Sequence, residues 1–143
     1  MRKYILIFLP FFILTCYPVH GEESGPSGIS LYSQALLEQI NSYRKEHDLP
    51  PLRFDSRLIE LAREHSFFMS QQKRLSHLQF NERFQRSGSR LCVENVGSGS
   101  TYALKQFRAW QASPDHDRNM LVADIHKAGI AEVDNYVTFF ACQ

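Results

Sequence analysis

The stretch KAGIAEV-DN-YVTFFAC, from Lys127 to Cys142, decides the architecture. Two apolar runs, Lys127 to Val133 and Tyr136 to Cys142, flank Asp134-Asn135, a pair that tolerates positive φ. That pattern predicts an antiparallel β-hairpin closing the chain. Upstream, Leu91 to Val96 is brief and contains β-branched residues, so it reads as a further strand closed by Gly97-Ser98-Gly99. What precedes and separates these strands has helical periodicity. Helices first and strands late speak for an α+β domain with an antiparallel sheet covered by helices, against alternating βαβ units.

The helical segments are read from their spacing. From Leu31 the residues Leu36, Leu37, Ile40, Tyr43 and Arg44 recur at intervals of three and four, predicting an amphipathic helix that ends near His47, before Pro50-Pro51. Asp55 is placed to cap a second helix, whose inward stripe is Leu58, Leu61, Ala62, His65, Phe68 and Met69, with Arg57, Glu60, Arg63 and Glu64 facing water. On that stripe His65 is expected to be a hydrogen-bonded packing residue. Asn81 is taken as the cap of a short helix through Phe84 that stops at Gly88. Ser100 or Thr101 begins a third helix with Leu104, Phe107 and Trp110 or Gln111 turned inward. Ser113-Pro114-Asp115 reads as a cap and first-turn proline for another through Leu121.

The 143 residues are 43% hydrophobic and 22% charged, enough for one core and too few for two ordinary domains. Arg2 and Lys3 precede an apolar run, Tyr4 to Leu14, of secretory length. Residues 1–21 are expected to be a signal peptide cut after Gly21, 22–30 a flexible lead-in, and 31–143 the domain. The competing reading takes Ile13-Leu14-Thr15-Cys16 as a loose lipobox that anchors the protein to a membrane through an acylated Cys16; Thr15 argues against it. Both place the domain outside the cytoplasm, as a monomer. Removing Arg2 and Lys3 leaves 14 basic against 15 acidic residues, a net charge of −1 that gives nucleic acid no basic face. Under either leader reading Cys16 is lost or modified, which leaves Cys92 and Cys142 as an even pair in an oxidising compartment, and a disulfide between them is the natural inference. Cys92 is thereby removed as a nucleophile.

No His-Glu-x-x-His, Gly-x-Ser-x-Gly, Cys-x-x-Cys or calcium-loop pattern occurs. Gly97-Ser98-Gly99 imitates a dinucleotide fingerprint, but its third glycine place holds Tyr102 and no βαβ frame surrounds it. The polar residues that stand out are Ser76-His77, Glu94 within an apolar strand, and His116 after Trp110 and Ser113. Alternation puts Cys92, Glu94 and Val96 on one face. If that face is covered, the carboxylate needs a partner or a shifted pKa; the spacing by itself favours the solvated alternative.

The order of these residues resembles the CAP superfamily, in particular the compact bacterial SCP-like domains. The fragments are Ala35-Leu36-Leu37-x-x-Ile40-Asn41-x-x-Arg44, Leu52-x-x-Asp55-x-x-Leu58 with Ala62, Ser76-His77 and Glu94-Asn95-Val96. Trp110-x-x-Ser113-Pro114-x-His116-x-Arg118-Asn119-Met120-Leu121 and a Gly129-bearing hairpin complete the set. The resemblance implies a three-layer α-β-α sandwich with a central antiparallel sheet, and a cleft with two histidines and acidic residues. Position by position, His77 and His116 match the histidines and Glu94 the acid of the Glu-Asn motif. Many members carry a second glutamate three residues after the tryptophan, where this chain has Ser113. His77, Glu94 and His116 therefore make at most a weak, exchangeable Zn²⁺ site, and no cofactor is required.

Two functions compete on this reading. The first is a secreted, non-catalytic binding module whose cleft, with His77, Glu94, His116 and Ser113, takes a small ligand, lipid or peptide. The second is an extracellular hydrolase of peptides or wall material, with Glu94 or a histidine as general base and a metal-bound or free water as nucleophile. The absence of a credible nucleophile favours the first. Ser113 is accounted for by helix capping and Ser76 by loop composition.

Overall fold

The computed structural model describes residues 29–143. The leader, the cut after Gly21 and the Cys16 lipobox lie outside the described residues. The elements run α1 (Leu31–Glu46), β1 (Arg53–Phe54), α2 (Ser56–Gln72), α3 (Phe80–Ser87), β2 (Cys92–Ser98), α4 (Ala103–Gln111), α5 (Pro114–Met120), β3 (Lys127–Val133) and β4 (Tyr136–Cys142). Among the described residues no helix is long and apolar enough to cross a membrane.

The terminal hairpin forms as its turn chemistry requires, with Asp134 and Asn135 at φ 48° and 65°. It builds the centre of a four-stranded sheet of order β1-β3-β4-β2. β3–β4 and β4–β2 are antiparallel, as expected. The sheet is nevertheless mixed, because Arg53 and Phe54 pair in parallel with Lys127 and Ala128 at its far edge. Two residues before a helix cap carry no alternation, so this strand exists only through its tertiary partner.

Both faces of the sheet are covered, giving an α-β-α sandwich. Val137, Phe139 and Ala141 point into a core with Leu36 and Ile40 of α1 and Phe107 and Trp110 of α4. Phe140 and Cys142 point the other way, onto Leu58, Leu61 and Ala62 of α2. Burial on both sides explains why β4 reads as an almost unbroken apolar run. α2 lies so close to β3 at Gly129 that a Cβ there would overlap the backbone of Leu58 and Ile59. Only glycine admits that approach.

α1 and α2 match their sequence reading. Ser30 accepts a bond from the Ser33 amide at the start of α1, and Asp55 accepts from Leu58 at the start of α2. Arg44, fully buried, donates from Nε to the Pro50 carbonyl (2.9 Å) and from Nη1 to those of Met120 and Val122 (both 2.8 Å). It thereby ties α1 to the segment leading into β3.

Four expectations are corrected. α3 begins at Phe80 behind Gln79 in the left-handed region (φ 62°), so Asn81 lies inside the helix and caps nothing. β2 runs on through Gly97 and Ser98, and the turn falls at Gly99 (φ 73°). α4 starts at Ala103 and buries Gln106 while Leu104 faces outward. Gly97 makes room for Gln106, whose carboxamide occupies the space a Cβ would need. Ser113 stands at the N-cap position of α5, but its hydroxyl makes no capping bond.

Cys92 and Cys142 face each other across β2 and β4 and are joined in a disulfide. The closed loop spans 50 positions, for which chain entropy alone gives about 4 kcal/mol. The double variant Cys92→Ser/Cys142→Ser is expected to lose about 2–5 kcal/mol in urea unfolding. Reduction of the native protein is expected to reproduce that loss.

Candidate functional site

The site is organised by Glu94. Strand alternation turns its side chain toward α2 and α3, where it has no exposed surface. The solvated placement favoured by spacing is therefore wrong. Arg83, 4% exposed on α3, supplies the partner: Nε donates to Oε2 (2.8 Å) and Nη2 to Oε1 (2.9 Å), a bidentate fork. Arg83 Nη1 also donates to the Leu78 carbonyl (2.8 Å). The same guanidinium thus fixes the carboxylate and the loop that carries His77.

His77 lies in that loop with its side chain 54% exposed and Nδ1 2.9 Å from Glu94 Oε1. Because a carboxylate accepts, Nδ1 carries the proton. Nε2 is then the unprotonated nitrogen of the neutral ring. The loop is braced by Ser76, whose hydroxyl accepts from the Leu78 amide (3.0 Å).

Below it, His65 on α2 is buried, as its stripe predicted, and Nε2 donates to the Ser76 carbonyl (2.6 Å). The same nitrogen lies 3.7 Å from Glu94 Oε1. Its Nδ1 is buried without a hydrogen-bond partner. Burial holds the His65 pKa below its ordinary 6.5; the charges of Arg83 and His77 push the same way, and Glu94 opposes them.

The neighbouring residue in the strand, Asn95, faces the other way. Its carboxamide donates to the His116 carbonyl (2.9 Å), and Asn119 donates to both Asn95 Oδ1 (2.9 Å) and the Glu94 carbonyl (3.1 Å). His116 is thereby held on α5, half-buried, with its ring tilted beside Trp110 at 6.4 Å. Burial lowers its pKa, and the charge of His77 adds to the effect.

The structure therefore joins His77 and Glu94 directly. Among the described residues no hydrogen bond or ion pair links His116 to either. Ser113 is half-buried at the start of α5, with its carbonyl accepting from the Asp117 amide (2.8 Å). Arg83 is the member that sequence reasoning missed. It sits in an eight-residue helix whose apolar residues are Phe80 and Phe84, and its place three residues after Phe80, together with the partner a covered Glu94 requires, was the signal that it turns inward.

His77, Glu94 and His116 do not fit Zn²⁺ in this arrangement. Both Glu94 oxygens accept guanidinium N–H groups, and a cation bound there would face Arg83. Among the described residues no group of three or more His, Cys, Asp or Glu side chains could hold a metal ion.

A two-faced mixed sheet between helical layers, with a histidine loop docked on its edge strand, defines an SCP-type domain. The CAP family, the cysteine-rich secretory protein family, matches residues 37–143, and the chain belongs to it. YkwD, an uncharacterized protein of Bacillus subtilis, is 26% identical over 119 residues, covering 78% of this chain and 46% of that protein. The chain therefore spans about half the length of this curated relative. An extracellular SCP-domain protein from Bacillus anthracis superposes with a TM-score of 0.74 at 24% identity, over 78% of this chain and 40% of that one. A cysteine-rich secretory protein from Staphylococcus aureus gives 0.71 at 18%, over 78% and 38%. An outer surface protein from Borrelia burgdorferi gives 0.67 at 24%, over 77% and 91%.

Two outcomes follow from this geometry. Glu94→Ala or Arg83→Ala, each leaving a buried charge unpaired, is expected to cost about 3–5 kcal/mol in urea unfolding. The double change Arg83→Met/Glu94→Leu recovers much of that loss, so a double-mutant cycle shows strong coupling. As for pH, the folded pKa values of His65 and His116 lie below 6.5, so the unfolded chain binds more protons as pH falls past that value. Stability is expected to be flat above about pH 7 and to fall on the acid side by at most about 1.4 kcal/mol per pH unit per histidine. His116→Gln makes that acid slope shallower in denaturation midpoints measured from pH 5 to 8.

Proposed function

We propose that this chain is a non-catalytic binding module acting outside the cytoplasm as a monomer. Its recognition surface lies along the edge of β2, with the His77 ring as polar contact and His116 and Ser113 as neighbours. The observation that carries this reading is the commitment of Glu94: its carboxylate is buried and bonded to Arg83 and His77, so it has no free oxygen for water or substrate. Cys92 is oxidised, and the Ser76 hydroxyl serves the Leu78 amide, so neither is an activated nucleophile. Leu75 and Leu78, 45% and 53% exposed, flank His77 and give the surface apolar contact for a small ligand, lipid or peptide. The extracellular and outer-surface proteins of the same fold support the location, as does the expected leader. Anchoring through Cys16 is the alternative to free secretion.

One observation favours the second reading, an extracellular hydrolase. A carboxylate on His77 Nδ1 with Nε2 unprotonated is the orientation a general base needs. Among the described residues neither Cys92 nor Ser76 is an activated nucleophile and no group of three His, Cys, Asp or Glu side chains could hold a metal for a bound water, which leaves only free water for this reading. Binding is therefore the stronger of the two.

The test compares the wild type with His77→Ala, Glu94→Gln and His116→Ala on panels of peptide and cell-wall substrates and in thermal melts. We expect no turnover by any of them, a lowered melting temperature for Glu94→Gln, and a smaller decrease for His77→Ala, which removes one donor to the buried carboxylate. Turnover by the wild type that disappears in His77→Ala would overturn the non-catalytic reading and establish the hydrolase.

A further inference from the structure

At the end of the sheet away from the β3–β4 turn, a surface concavity of about 330 Å³ is lined by Arg90, His126 and Lys127, with Ser87, Gly88 and Ser89. Arg90, His126 and Lys127 are exposed. Two more cations stand beside them. Arg57 Nη1 lies 3.8 Å from where a Cβ on Gly88 would sit, and Arg53 pairs in register with Lys127, so their side chains leave the same face of the sheet.

These charges are unmatched. Elsewhere Arg63, Arg83, Arg86 and Arg118 each have a carboxylate partner, while Lys45, Lys73, Arg74, Lys105 and Arg108 are dispersed cations outside any ion pair among the described residues. Among the described residues no ion pair includes Arg53, Arg57, Arg90 or Lys127. Of the nearby acids in the chain, Asp55 is turned onto the Leu58 amide as the α2 cap, and Asp124 is exposed two residues before His126. A carboxylate at Gln143, which also lines the concavity, would offset one of the four cations. Arg90 and Lys127 line the concavity, with Arg57 beside Gly88 and Arg53 on the neighbouring strand, and among the described residues no ion pair uses any of these four charges.

We propose that this concavity binds a phosphate group. A single carboxylate is satisfied by one guanidinium fork, whereas a phosphate presents more charge and more acceptor oxygens and can engage Arg90 and Lys127 together, with the His126 ring lining the same concavity. The phosphate is either free in solution or the headgroup of a lipid, and the same side chains serve both. This site is separate from His77 and does not depend on how that surface functions.

The experiment is an amide NMR titration of the protein with inorganic phosphate, the ionic strength held constant with chloride. Saturable shifts are expected at Gly88, Ser89, Arg90 and Lys127, with a Kd of about 1 mM. Arg90→Ala/Lys127→Ala weakens binding about tenfold or more, while Arg118→Ala, whose charge is paired with Asp115, leaves it unchanged. Both variants alter exposed side chains, and unchanged thermal melts confirm their folding. Co-sedimentation with phosphatidylglycerol vesicles but not phosphatidylcholine vesicles, lost in the double variant, assigns the lipid source. Phosphate binding without vesicle binding assigns the soluble one. Shifts that fail to saturate, or that the double variant reproduces at full strength, would overturn the proposal.

Discussion

A carboxylate without solvent must be neutralised where it lies, and the chain around β2 is arranged to do this for Glu94. Taking an ionised group out of water costs several kcal/mol unless the charge is paired and its lone pairs are used. The Arg83 fork meets both needs, with the His77 Nδ1–H as a third donor. The third arm of the guanidinium, on the Leu78 carbonyl, means that α3 cannot leave the sheet without uncovering the carboxylate and releasing the loop before it. His77 owes its position to this constraint. Its ring has little packing of its own and is aimed by a charge whose geometry is already fixed.

β2 is the edge strand of the sheet and carries polar residues on both faces, Glu94 toward α2 and α3 and Asn95 toward α5. Successive residues of a strand point to opposite sides, so the Glu-Asn pair ties the two helical layers together through one strand. The outer edge is also used. The Glu94 carbonyl accepts from Asn119, and the Val96 carbonyl from the Trp110 indole N–H at 3.0 Å. An edge strand left open invites pairing with another chain. Here side-chain donors occupy the carbonyls that such pairing needs, and the same bonds seat α4 and α5 against this edge.

The parts of the fold that were legible in the sequence are those set by local chemistry. The stripes of α1 and α2, the Asp55 cap and the Asp134-Asn135 turn all depend on residues within a few positions of one another. The cysteine pair was legible from parity and compartment. What was not legible depends on distant partners. β1 exists because β3 lies beside it, and Gln106 turns inward because Gly97, nine residues earlier, leaves space for it. Glu94 illustrates the same limit within the site. Its alternation was read correctly, but whether its face is wet depended on Arg83 in a helix whose composition resembles a surface helix. The resemblance to a family identified His77 and Glu94 as residues that meet, without indicating that a guanidinium would claim the carboxylate.

Two buried guanidinium groups show how differently the protein handles the same charge. Arg44 is surrounded by carbonyl oxygens of Pro50, Met120 and Val122, and its positive charge remains uncompensated; burial accordingly lowers its pKa. It functions as a staple between main-chain segments, and neutral acceptors suffice because their geometry is fixed by the core. Arg83 instead meets a full negative charge on a strand that contributes little apolar area. That strand needs a further restraint, which the Cys92–Cys142 bridge supplies two residues from Glu94, on the same face and directly opposite β4. An edge strand bearing a buried ion pair is thus held by main-chain pairing, a covalent link and side-chain bonds to its carbonyls, where a central strand such as β4 is held by hydrophobic burial on both sides.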